Sequence, residues 1–148
     1  MSRSLLFESE IGCSVESLYA FHADTVNLPK ITPPGISVQI EALPSRLEAG
    51  AEATLFIRRG LLGFRWKVRF EKVEPPHCIV DTALKSPFAT FRHVHRFTAL
   101  GEARSLLSDE VTFELPMGWL GCIAEPFVAS DMEKMFAFRH AQTRRMLE

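Results

Sequence analysis

Only three cysteines occur in 148 residues, Cys13, Cys78 and Cys122, and no two form a Cys-x-x-Cys pair. Such an odd, scattered set argues against a disulfide framework and a cysteine zinc site, and reduced, packed thiols are expected. Also missing is any apolar run of about 18 residues, which excludes a transmembrane helix and stable membrane insertion by one. The amino terminus carries Glu8 and Glu10 where a secretion signal needs its apolar core, so the expected location is cytoplasmic. Charge of one sign is lacking too. A balance of 17 basic and 18 acidic residues leaves a formal net charge of −1, which gives no long-range pull toward nucleic acid or anionic membrane. There is no internal repeat and no low-complexity tract. A content of 47% hydrophobic and 24% charged residues argues against disorder. The remaining expectation is a single domain over 1–148, burying roughly two-thirds of its unfolded surface.

Periodicity divides the chain into three parts. Leu5, Phe7 and Ile11 alternate with Glu8 and Glu10, as a half-buried first strand does. Ser14 then offers an N-cap for a short helix over Val15–Ala23, and prolines at 29, 33 and 34 leave room for at most a second short helical turn. From Ile36 to Leu115 the pattern is that of successive antiparallel strands. The clearest places Phe64, Trp66, Val68 and Phe70 on one face and Arg65, Lys67, Arg69 and Glu71 on the other. Gly60-Leu61-Leu62-Gly63 reads as a strand-joining loop. After Pro116-Met117-Gly118 a helical period runs to the carboxyl end. Projected at about 100° per residue, Ala124, Phe127, Val128, Met135, Phe138 and Met146 form its apolar stripe, with His140 directed to water and Asp131 inside the stripe. A curved antiparallel sheet of about seven strands around this long helix, with one or two short helices after the first strand, satisfies both apolar faces. The fold class is α+β.

The order of elements resembles the START-like superfamily, the polyketide cyclase/dehydrase and lipid-transport (SRPBCC) group with the helix-grip fold, and in particular its bacterial stand-alone members. The resemblance covers nearly the whole chain. It rests on Ser14 to Asp24 with Asn27-Leu28-Pro29-Lys30-Ile31-Thr32-Pro33-Pro34, and on the strand Phe91-x-His93-x-His95-x-Phe97. It rests also on Asp109-Glu110-Val111-x-Phe113-Glu114-Leu115-Pro116-x-Gly118-x-Leu120-Gly121 and on the tail Met135-Phe136-x-Phe138-Arg139-His140. It implies a hydrophobic cavity between helix and sheet. It supplies no single set of catalytic residues, because this fold hosts binders, transporters and enzymes alike.

Site residues therefore come from the sequence itself. Phe91, His93, His95 and Phe97 share one strand face, and Leu107, Asp109, Val111 and Phe113 share the next. A hairpin centred on Glu102 pairs Phe97 with Leu107, His95 with Asp109, His93 with Val111 and Phe91 with Phe113. A shift by two residues, bringing His93 opposite Asp109, also keeps the faces matched. Adding Asp131 from the covering helix gives a cluster of His93, His95, Asp109 and Asp131. Its expected apolar lining is Trp66, Phe91, Phe97, Phe113, Met135 and Phe138. A frayed or kinked helix start would instead turn Asp131 outward. The pair His95–Asp109 can orient a ligand or simply fix the strand register. His-x-His with carboxylates also meets the ligand inventory for zinc or non-haem iron, but the pattern is common by chance, and neither metal nor cofactor is expected. Gly118-Trp119-Leu120-Gly121 reads either as an exposed lip at the cavity mouth or as core.

Two functional expectations follow. One is binding or transport of a small, mostly hydrophobic ligand, lipid or polyketide-like, with the polar cluster setting its orientation. The other is a cyclase/dehydratase-type enzyme in the same cavity, with His95 as general base oriented by Asp109, and His93 or a protonated Asp131 as acid.

Overall fold

In the computed structural model, which describes residues 2–148, the elements follow one another as the periodicities predict. Strand β1 (Arg3–Ile11) leads into helix α1 (Val15–Ala23) and a 3-10 helix over Thr25–Ile31. Six strands follow: β2 (Ile36–Ala42), β3 (Glu52–Arg59), β4 (Leu62–Glu74), β5 (Cys78–Lys85), β6 (Thr90–Gly101) and β7 (Arg104–Glu114). Helix α2 (Trp119–Leu147) closes the chain. Ser14 caps α1, its hydroxyl accepting from the Ser17 amide, as expected of a short helix that needs its first amides satisfied.

All seven strands form one antiparallel sheet in the order β1-β7-β6-β5-β4-β3-β2. Every connection from β2 to β7 joins neighbours. The β3–β4 turn carries Gly60 at φ +59°, a left-handed conformation that favours glycine. Register shifts in β2, β4 and the end of β6 bend the sheet, and α2 lies across its concave side against β1 and the 3-10 helix. This is the helix-grip architecture. No helix among the described residues is long and apolar enough to cross a membrane.

The buried face of α2 differs from the expected stripe. Ala129, Met132, Phe136, His140 and Thr143 are buried, a set at i, i+3, i+7, i+11 and i+14. Phe127 and Met146 are exposed at 77% and 42%. Small and polar residues occupy part of the buried face, so a projection weighted by hydrophobicity turned toward the wrong side. Phe136 carries the packing. It stacks on Phe7 of β1 with ring centroids 4.7 Å apart and meets His93 edge-on at 5.3 Å. The Trp119 side chain is 71% exposed, so it is not core.

Candidate functional site

A cavity of about 360 Å³ separates α2 from the sheet. Leu55 and Ile57 of β3, Trp66 and Phe70 of β4, Phe88, Phe91 and, from α2, Met132, Met135 and Phe136 wall it. Alternation explains this wall, because the side chains come from the inward positions of successive strands. Trp66 sits edge-on to Phe91 at 4.8 Å and to Phe88 at 5.8 Å, so the aromatic wall is itself packed.

Polar groups meet deep in this cavity, on β5, β6 and β7. The β6–β7 register pairs His95 with Asp109, His93 with Val111 and Phe91 with Phe113, as hairpin parity predicts. On the other side of β6, β5 sets Asp81 opposite His93 and Ile79 opposite His95. His93, His95, Asp81 and Asp109 thus form a skewed four-residue lattice across three strands of one sheet face. The tight hydrogen bonds run along its diagonals: His93 Nε2–H donates to Asp109 Oδ1 at 2.7 Å, and His95 Nε2–H to Asp81 Oδ2 at 2.9 Å. The two imidazoles stack with centroids 3.7 Å apart. His95 Nδ1 lies 3.3 Å from Asp109 Oδ1 but off the hydrogen-bond direction, and it is sealed from solvent without a bonded partner.

His140 completes the network from α2. Its Nε2–H donates to Asp109 Oδ2 at 2.6 Å and its Nδ1 shares a hydrogen bond with the Ser9 hydroxyl at 2.8 Å. The expectation that His140 faces water is therefore corrected. Asp109 holds β6, β7 and α2 together through imidazoles on both oxygens. Asp131, expected in the cluster, is instead engaged by Arg59 of β3 in a two-pronged ion pair, with Arg59 Nη1 on Oδ2 and Nη2 on Oδ1 at 2.6 Å. Both side chains line the cavity yet are about half exposed, so this pair lies at its rim. The cause is the rotation of α2, which carries position 131 to the edge of the grip. Of the expected lining, Trp66, Phe91 and Met135 are on the wall. Phe97 and Phe113 are each 1% exposed and pack within the core away from it. Phe97 packs against Tyr19 and His22 of α1, and Phe113 is covered by Phe88. Phe138 is half-buried and off the wall, the position being taken by Phe136.

Electrostatics separates the two stacked imidazoles. Burial opposes the charge on His95, but Asp109 and Asp81 together outweigh it and raise its pKa to about 9. On His93 burial wins, reinforced by the charge of His95, and the pKa is lowered despite Asp109. The two shifts run in opposite directions, so the carboxylates favour a proton on His95 over one on His93. Burial also pushes Asp109 upward, yet its contacts with His140, His93 and His95 hold it well below the ordinary carboxylate range. Asp81 is lowered too, with burial outweighed chiefly by His95. His22, in the last turn of α1 and on the cavity wall, is driven down to about 4 by burial.

The sequence reading missed Asp81 and His140. Asp81 carried a signal: it stands two residues from Ile79 and two from Ala83, a carboxylate on an apolar strand face. His140 carried one as well, four residues after Phe136 on the same helical face. Asp81, His93 and His95 also bring one potential metal-ligand atom each within 4.8 Å of one another. The Nε2 atoms of His93 and His95 are already hydrogen-bonded to Asp109 and Asp81, so an ion there would take the Nδ1 atoms or displace those bonds.

The family model described as polyketide cyclase / dehydrase and lipid transport matches residues 11–138. Among solved structures, the Zhui aromatase/cyclase of a Streptomyces species is similar over 99% of this chain and 94% of its own, at 15% identity and a TM-score of 0.80. A norcoclaurine synthase of Thalictrum is similar over 99% and 94% at 13% identity, with a TM-score of 0.70. A START superfamily protein of Mycobacterium smegmatis matches over 97% and 98% at 13% identity, with a TM-score of 0.72. At such identities the likeness is one of fold. No curated protein matches the sequence.

Proposed function

The chain belongs to the polyketide cyclase/dehydrase and lipid-transport family, and from that footing we propose that it binds a small, mostly apolar molecule whose polar end meets the His93–His95 pair. The observation that carries this reading is the composition of the cavity. Its roughly 360 Å³ falls in the range of small-molecule sites, and aromatic and aliphatic walls surround a few convergent polar groups. The apolar wall supplies affinity. The lattice of His93, His95, Asp81 and Asp109 supplies direction, because its groups are locked by hydrogen bonds before any ligand arrives.

Native mass spectrometry of freshly purified protein, followed by thermal shifts with naphthalene-sized and acyl-chain compounds, tests the proposal. A ligand at about 100 times its Kd stabilises by about 2.7 kcal/mol, which for a domain of this size raises Tm by roughly 5–10 °C. A clean unliganded mass together with no shift across both compound classes contradicts it.

A second reading, catalysis of the cyclase or dehydratase kind, is favoured by the opposed pKa shifts of the stacked rings. In that reading the roles expected from the sequence exchange. His93 is neutral, gives its Nε2–H to Asp109 and keeps Nδ1 as a lone-pair base. His95, protonated, stabilises developing negative charge. His93→Gln should then abolish turnover of a cyclising substrate by about 100-fold or more while leaving binding within a few-fold. Equal loss of both would point to a structural role.

A further inference from the structure

Arg139 of α2 lies on the cavity wall and has no hydrogen bond to the imidazole network. Its guanidinium carbon is 5.1 Å over the Phe136 ring, the same ring that meets His93 edge-on. Its Nε is sealed from solvent and has no hydrogen-bond partner. Burial drives its pKa below the ordinary arginine value, against the pull of Asp109 and Asp81. The side chain keeps an intermediate accessible surface even though protein surrounds its charge, as a side chain facing an internal space does.

A guanidinium enclosed by protein with its Nε sealed from any acceptor is costly, and a methionine or leucine at 139 would fill much the same volume without that cost. The neighbouring carboxylates do not satisfy it. Asp109 accepts from His93 and His140, and Asp81 from His95. At the cavity rim, Arg59 shows the alternative, a guanidinium with both prongs on the Asp131 carboxylate. Arg139 offers the same planar fork of donors from the cavity wall.

Resting on the binding reading above, we propose that the ligand carries a carboxylate, received by the Arg139 guanidinium beside the His93–His95 pair. A planar fork of N–H donors matches a carboxylate in two parallel hydrogen bonds. Charge count favours a monoanion. Asp81 and Asp109 face His95 and Arg139, so a carboxylate adds one net negative charge to the site and a phosphate monoester adds two, which ranks the dianion below the monoanion. Aromatic and acyl monocarboxylic acids are the fitting class.

The test is calorimetric titration at pH 7 with naphthoate and with naphthalenemethanol, which share a ring system and differ in the anionic group. Hydrogen bonds to charged groups predict that wild type prefers the carboxylate by about 10- to 100-fold. In Arg139→Met the preference should fall to near parity while the alcohol binds within about threefold of wild type, and the variant should melt no lower than wild type. An alcohol bound as tightly as the carboxylate by wild type, or a preference that survives in R139M, overturns the inference and leaves the binding reading standing. If wild type binds neither probe, the binding reading falls and takes this inference with it. Should R139M fail to fold, Arg139→Lys keeps the charge without the fork. A drop in preference of about tenfold then supports the carboxylate fork, and an unchanged preference refutes it.

Discussion

Replacing Asp109 with asparagine tests whether one carboxylate joins sheet and helix. Asp109 is 3% exposed and accepts from His93 at 2.7 Å and from His140 at 2.6 Å, with His95 Nδ1 at 3.3 Å. Asparagine keeps the shape and removes the charge. It also turns one acceptor into a donor, which must face an imidazole N–H. His140 can relieve that clash by moving its proton to Nδ1, because the Ser9 hydroxyl opposite can rotate to accept it. His95 then keeps only Asp81 to balance its charge, or gives up its proton together with the stabilisation the charge supplied. Breaking a buried ion pair costs about 3–5 kcal/mol, and the tautomer change at His140 puts Asp109→Asn near 3 kcal/mol. For a domain of this size the Tm should fall by roughly 6–12 °C. Asp109→Ala leaves two buried N–H groups without an acceptor, each worth about 1–3 kcal/mol more. Thermal and urea unfolding at pH 7 read both variants. An asparagine variant within about 1 kcal/mol of wild type, or an alanine variant no worse than asparagine, refutes the view of Asp109 as a central acceptor.

Other expectations follow from the same geometry. The His95 pKa is raised from 6.5 to about 9, so its stabilisation is complete below about pH 6.5 and is lost as pH rises through 9. The loss amounts to about 3 kcal/mol, so in urea titrations wild type should lose that much stability relative to His95→Gln over that window; parallel curves contradict the assignment. Phe136→Ala should cost about 3–5 kcal/mol as a buried aromatic, whereas Phe127→Ala, at 77% exposure, should stay within about 0.5 kcal/mol; the reverse order would restore the stripe expected from the sequence. The exposed Arg59–Asp131 pair should contribute about 1 kcal/mol or less, and less at high salt, as a double-mutant cycle at two ionic strengths would show; a salt-independent coupling above 2 kcal/mol argues against its rim position.

The sheet was legible because strand faces obey a parity that the sequence displays directly. Placing Phe91, His93, His95 and Phe97 on one face and Leu107, Asp109, Val111 and Phe113 on the next admits only even-sum pairings, and the centred turn gives the observed register. Side-chain partners were less legible, since register fixes Cα neighbours and leaves the rotamers free. His95 does stand opposite Asp109, yet its close bond goes diagonally to Asp81, and that of His93 goes diagonally to Asp109. The helix was harder still. Its buried face mixes Ala129, Met132 and Phe136 with His140 and Thr143, because α2 brings polar groups to a polar network. Hydrophobic periodicity cannot register a histidine that is buried for its hydrogen bonds. The stripe that periodicity predicts carries Asp131, which α2 in fact turns to the Arg59 rim, and it omits Arg139, which lines the cavity.

Methyl and histidine-ring NMR during titration with naphthoate or naphthalenemethanol tests the central claim most directly. Ligand in the cavity should shift the methyl signals of Ile57, Ile79, Met132 and Met135, and the ring signals of His93 and His95, with one common saturation curve. Those of Met117, Ile123 and Met146, exposed on α2 and just before it, should stay in place. Shifts confined to that exposed set, or no saturable shift at His93 and His95, would contradict a binding cavity between sheet and helix.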